Sequence, residues 1–164
     1  MTNNDILIRL RYALDIKDMD MVQIFKLGGV DVTLEEVKKM LTKPKDDYDY
    51  EDIDEDEDFK RCTNETLEKF LNGLITFKRG PKPGQTGFPP LTREHMNNQL
   101  LKKVKIALVL TSEDIIDIIA EAGVTITKGE VGALLRKEGH KNYKECGDKY
   151  ARNFLKGLAI KYRG

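Results

Sequence analysis

The sequence predicts an all-α protein: a tandem duplication of a roughly four-helix unit, the two copies packed with pseudo-twofold symmetry. Three observations carry this. Apolar residues recur three and four positions apart rather than alternating. Helix-start and helix-stop signals recur at matched places. And the chain aligns with itself. Residues 3–43 laid over 97–137, at an offset of 94, are identical at 14 of 41 positions. Residues 60–80 laid over 144–164, at an offset of 84, are identical at 8 of 21. Self-similarity of this kind means two copies of one supersecondary unit. The change of offset gives the first copy ten extra residues, at its acidic loop.

The first helix of each copy is read from about Asn4 to Ile16. Ile6, Leu7, Leu10, Ala13 and Leu14 form one face, repeated by Leu100, Leu101, Val104, Ala107 and Leu108. The second helix starts near Asp18 or Ser112, both N-capping residue types, and stops at Gly29 or Gly123. The third opens with Thr33-Leu-Glu-Glu36 or Thr127-Lys-Gly-Glu130. Both are capping boxes, in which the Thr hydroxyl and the Glu carboxylate satisfy each other's backbone amides. Gly129, Gly132 and Ala133 weaken the second of these helices, and glycine there would permit close helix packing.

The fourth helix begins at Asn64 or Asp148, expected as N-caps. It carries Leu67, Phe70, Leu71, Leu74 and Phe77 on one face, or Tyr150, Phe154, Leu155 and Leu158 with Ile160 beside them. It closes as FLNGLITFKRG at Gly80 or FLKGLAIKYRG at Gly164, a basic last turn followed by a C-cap glycine. Residues 80–92, GPKPGQTGFPPLT, hold four of the five prolines and read as a semi-rigid, extended linker. The organisation is therefore 1–80, a first repeat with an acidic insert at 44–59; 81–92, a linker; and 93–164, a second repeat. Units of this size hold marginal cores alone, so mutual packing is expected.

The 164 residues are 40% hydrophobic and 34% charged, which suits a globular chain. No run of about 18 apolar residues exists, so no membrane-spanning helix is expected, and the N-terminus lacks a secretory pattern. Two cysteines 84 positions apart make no disulfide framework and point to the cytoplasm. The formal net charge is zero, but residues 44–59 hold ten acids and one lysine. The remainder carries 27 bases against 18 acids, a net of +9. A basic body raises the prior for an anionic partner.

The stretches NNQLLKKVKIAL, HKNYKECGD and FLNGLITFKRG, duplicated and in this order, resemble the YehS-like family of bacterial proteins. These carry a repeated domain of unknown function numbered 1456. The resemblance covers nearly the whole chain except the acidic loop and part of the linker. It implies a small bacterial cytoplasmic protein, and it transfers no catalytic or binding residue.

Four features are weighed for function. Residues 114–137 resemble a helix-turn-helix, but Val-Thr-Ile-Thr makes a long turn and the second helix opens with acids facing where phosphates would lie. An ordinary helical hairpin is the simpler account. Arg9 and Arg11 match Lys103 and Lys105, with Lys102 added, and Arg79 matches Arg163. These seven are the candidate anion or nucleic-acid contacts, set against solvated helix faces and dipole compensation. Cys62 and Cys146 each precede a helix, where a thiol gains acidity, and His140 lies six residues before Cys146. Zinc would need both cysteines, His95 and His140 to converge, at no recognised ligand spacing. Half-buried structural cysteines are the expected alternative. The acidic run 46–58 lacks a calcium-loop pattern. It is read as a solvated loop or, more sharply, as a segment that folds over the basic body and competes with an anionic partner.

The function expected is a non-enzymatic binding or adaptor module, with no catalytic residue, cofactor or metal. The alternative is a nucleic-acid-binding regulatory protein, and an enzyme using Cys146 and His140 ranks third. The expected partner is first another protein, then nucleic acid, with no membrane and a homodimer left open.

Overall fold

The computed structural model describes residues 1–43 and 58–164. The sharper reading of the acidic run therefore lies outside the described residues, apart from Asp58. Among the described residues there are eight helices and no strands: α1 (Asn3–Ala13), α2 (Asp18–Leu27), α3 (Leu34–Met40), α4 (Asn64–Arg79), α5 (Met96–Ala107), α6 (Ser112–Glu121), α7 (Lys128–Leu135) and α8 (Asp148–Arg163). No helix among these residues is long and apolar enough to cross a membrane.

Most helix boundaries follow from capping chemistry. The Thr33–Glu36 and Thr127–Glu130 capping boxes both form. Thr2 with Asp5 and Thr111 with Asp114 make two more, at the starts of α1 and α6. All four of the expected N-caps Asp18, Ser112, Asn64 and Asp148 become the first helical residue instead. Ser112 becomes the first helical residue behind Thr111, Asn64 behind Thr63, and Asp148 behind Gly147. Asn64 and Asp148 do not cap because their side chains are taken by Asn3 and Asn97. Asp18 likewise follows Lys17, and its carboxylate binds Arg11.

Four helix ends close on a residue in the left-handed conformation, with the amide of the next residue bonded back to the third residue from the helix end. These residues are Asp15, Gly29, Val109 and Gly123, and the bonds run from Ile16 to Arg11, Val30 to Phe25, Leu110 to Lys105 and Val124 to Ile119. Glycine suits such a position, whereas Val109, at φ 55°, is a β-branched residue that resists it.

Within each repeat the second helix lies on the fourth and on the third. The close crossing depends on the glycine of FLNGL and FLKGL. A Cβ on Gly73 would sit 2.0 Å from the Ile24 carbonyl oxygen, and one on Gly157 would sit 1.9 Å from that of Ile118. Gly28 makes the reciprocal approach to Lys69. Gly129 and Gly132, by contrast, have nothing within 4 Å of a Cβ, so they are not close-packing sites.

Between repeats the contacts are reciprocal: α4 packs on α5, and α8 packs on α1. Ile6, Leu7, Leu10, Ala13, Leu100, Leu101, Val104 and Ala107 are all buried in one cluster that runs through both repeats. Phe70 joins it and stacks obliquely on Phe25 with ring centroids 4.8 Å apart. Leu14, Leu108, Phe77 and Tyr150 are only partly covered, and Ile160 is exposed.

Candidate binding surface

The conspicuous polar repeats hold the fold together. Asn4 and Asn98, both buried, lie in the first turns of α1 and α5. The Asn4 amide donates to the Met40 and Lys60 carbonyls at 2.9 and 2.8 Å, and its oxygen accepts the Cys62 amide at 2.9 Å. Asn98 repeats this with Leu134, Lys144 and Cys146 at 3.0, 2.9 and 2.8 Å. Each asparagine thereby ties its helix to the end of the third helix and to the strap before the fourth. Buried backbone groups in irregular segments need such partners. Beside them, Asn3 donates to the Cys62 carbonyl and Asn64, and Asn97 to the Cys146 carbonyl and Asp148.

Cys62 and Cys146 sit under these clamps. Burial pushes both thiols up to about 12, with Asp148 adding to the effect at Cys146. Helix N-termini do not outweigh that desolvation. His140 accepts the Asn142 amide through Nδ1 at 3.0 Å. His95 faces Glu145 at 3.2 Å and the Cys146 carbonyl at 3.3 Å. Among the described residues no group of three or more His, Cys, Asp or Glu is placed to hold a metal ion.

Five of the seven candidate cations make internal contacts. Arg11 pairs with Asp18 at 2.9 Å and Lys102 with Glu94 at 2.8 Å. Lys103 bonds Asn72 and lies 3.8 Å from Glu68. The two helix-ending arginines reach across to the other repeat. Arg79 donates to the Ile106 carbonyl at the end of α5, 3.4 Å away. Arg163 pairs with Asp15 beyond the end of α1 at 2.9 Å, and its guanidinium lies 4.3 Å from the centre of the Tyr12 ring. Both place positive charge at the C-terminal end of a partner helix, where it is stabilised by the dipole. Arg9 is exposed and Lys105 half-exposed. Arg11, Lys102, Lys103, Arg79 and Arg163 are thus engaged within the fold. The segment joining α6 to α7 runs from Ala122 to Thr127, longer than a helix-turn-helix turn.

Glu68, which the sequence did not flag, is 2% exposed between the repeats. Its carboxylate accepts the Thr92 and Arg93 amides at 2.7 and 3.0 Å and the Gln99 amide at 3.1 Å. Burial pushes its pKa up. The donors and Lys103 more than offset this, holding the group below its ordinary 4.5.

Two grooves occupy matched places where the repeats meet. One, about 300 Å³, lies between α1 and α8 and is lined by Ile8, Arg9, Tyr12, Leu155, Lys156 and Ala159. The other, about 370 Å³, lies between the ends of α4 and α5 and is partly walled by linker residues 80–83. Tyr12 and Ile106 correspond and are 56% and 45% exposed. In the first groove an apolar floor is edged by Arg9 and Lys156, a combination that suits an apolar side chain attached to an anionic segment.

A helical, internally duplicated chain with this arrangement matches one family model. The model described as "Protein of unknown function (DUF1456)" covers residues 3–80 and again 97–164, and the chain belongs to that family. It is 38% identical over 161 residues to the "Uncharacterized protein YehS" of Escherichia coli (strain K12), spanning 98% of this chain and 96% of that one. No solved structure matches.

Proposed function

We propose that the chain is a non-enzymatic binding module of the bacterial cytoplasm, and that the groove between α1 and α8 is its contact surface. The observation that carries this is composite construction. The groove draws one wall from each repeat, so it exists only while the two halves are packed, and it leaves Tyr12 exposed with Arg9 and Lys156 at its edges. Tyrosine and arginine, here Tyr12 and Arg9, are among the side chains enriched where proteins meet. The residues best suited to nucleophilic chemistry, Cys62 and Cys146, are withdrawn from solvent.

A photoreactive amino acid at Tyr12, in cells of the native host, tests this directly. The reading expects a discrete protein adduct at position 12. It expects none at Met19, which is 65% exposed on α2 and does not line the groove. Equal labelling at both positions, or none at Tyr12, overturns it. An adduct removed by nuclease would assign the surface to nucleic acid instead.

A further inference from the structure

The first repeat shows what this fold does with the surface that runs from the end of its second helix to the inter-repeat side of its fourth. The linker lies on it. Phe88 covers Gly29, its ring carbons 3.2–3.3 Å from where a Cβ would stand. Four residues later the linker is held through its backbone, as Glu68 accepts the Thr92 and Arg93 amides.

The second repeat has the same scaffold. Ile24 against Gly73 corresponds to Ile118 against Gly157, at 2.0 and 1.9 Å, so α6 crosses α8 as α2 crosses α4. Gly123 has the conformation of Gly29, φ 91° against 93°. Yet among the described residues nothing lies within 4 Å of a Cβ at Gly123. The polarity is also inverted. Glu68, Asn72 and Lys103 become Arg152, Lys156 and Arg9, all three exposed. None of the three forms an ion pair with a described residue. Asp148 feels Arg152, but its carboxylate is engaged by the Met1 amine and Asn97. Packing that sets Lys103 beside Glu68 sets Arg9 and Arg152, two like charges, at the corresponding places. An acid–base pair in the first repeat is thus matched by two exposed cations, a face complementary to an anion.

We propose that this open face of the second repeat docks an extended acidic segment of a partner protein. The segment lies as the linker lies on the first repeat, with an aromatic side chain over Gly123 and, four to five residues on, a carboxylate on Arg152. A planar guanidinium takes a carboxylate through two parallel hydrogen bonds, which fixes register as well as affinity. The proposal rests on reading the α1–α8 side as a partner surface, and it names that partner's chemistry.

The probe follows from the linker itself, residues 84–95, GQTGFPPLTREH. Fluorescence anisotropy with the whole chain compares labelled GQTGFPPLEEEH with its basic counterpart GQTGFPPLKKKH and with GQTGAPPLEEEH. The acidic peptide is expected to bind in a salt-sensitive manner. Arg152→Glu should weaken it roughly tenfold or more, as expected for loss of a charge-assisted pair. Lys156→Glu, also exposed, gives a second variant that should weaken binding. Removal of the aromatic should also lower affinity, and the basic peptide should not bind. Equal binding of acidic and basic peptides, affinity indifferent to both substitutions, or stronger displacement by duplex DNA than by unlabelled acidic peptide overturns the proposal. A peptide failure accompanied by a Tyr12 adduct removes the acidic occupant alone, whereas loss of the adduct removes the binding module.

Discussion

Replacing Gly157 by alanine adds one methyl group where the fold has no room. The new Cβ would lie 1.9 Å from the Ile118 carbonyl oxygen, whereas real Cβ contacts essentially never fall below 3.0 Å. The α6 backbone must therefore retreat by about 1 Å, and a gap of that size forfeits about a quarter to a half of each dispersion contact across it. The affected side chains, Ile115, Ile118 and Ile119 on α6 and Phe154 and Leu158 on α8, are all buried. Overpacking typically costs about 1–3 kcal/mol, and an obstacle made of backbone belongs at the upper end. Alanine's better helix propensity returns about 1 kcal/mol, leaving a net loss of about 2 kcal/mol. The same substitution at Gly132, in the middle of α7, meets nothing within 4 Å. It should gain about 0.5–1 kcal/mol. Urea titration followed by far-UV circular dichroism reads both. With a slope of about 2 kcal/mol per molar, Gly157→Ala lowers the midpoint by about 1 M and Gly132→Ala raises it by roughly 0.3 M. A Gly157→Ala midpoint equal to or above that of the parent chain would refute the close-crossing argument.

Asn98→Ala should cost about 3 kcal/mol, because it orphans the Cys146 amide and two carbonyls together, and it should speed hydrogen exchange at Cys146. Unchanged exchange there would count against the clamp. Val109→Gly relieves a β-branched residue at φ 55° that is 68% exposed, and should raise stability by about 1 kcal/mol in the same titration. Glu68 is held below 4.5 in the fold, so its contribution is present above that pH and lost as pH falls through its folded-state value. Glu68→Gln should therefore lower stability at pH 7 and flatten the decline of stability on the acid side of 4.5; an unchanged acid limb would contradict this. Both thiols, buried and pushed up to about 12, should react with Ellman's reagent at pH 8 only as fast as the structure opens.

The fold was legible where local chemistry decides it. The Thr33 and Thr127 boxes and the glycines at 29 and 123 act within one turn, and the apolar faces of the first and fourth helices need only periodicity. What escaped the sequence depends on partners far along the chain. Asn4 and Asn98 repeat visibly, but their partners lie 36 to 58 residues away, so their structural role could not be read. In sequence Gly129 and Gly132 read as able to permit close packing, but the close approaches fall at Gly73 and Gly157. A lone helical glycine does not announce what crosses it. Among the candidate cations, Arg11 and Lys102 meet nearby acids, Asp18 and Glu94, whereas Lys103 meets Asn72 of the other repeat, a partner that periodicity does not reveal. Glu68 has no acidic counterpart in the second repeat, so the duplication itself gave no hint of it.

The most direct measurement of the central claim is a nitrogen–proton correlation spectrum of the chain, titrated with the acidic probe peptide. If the second repeat uses the face that the linker covers on the first, amide shifts gather at Gly123, Arg152 and Lys156 and continue onto Arg9 and Tyr12. Thr92 and Arg93, held on Glu68, stay in place. Shifts centred on α4 and the linker, or none at saturating peptide, would contradict the account.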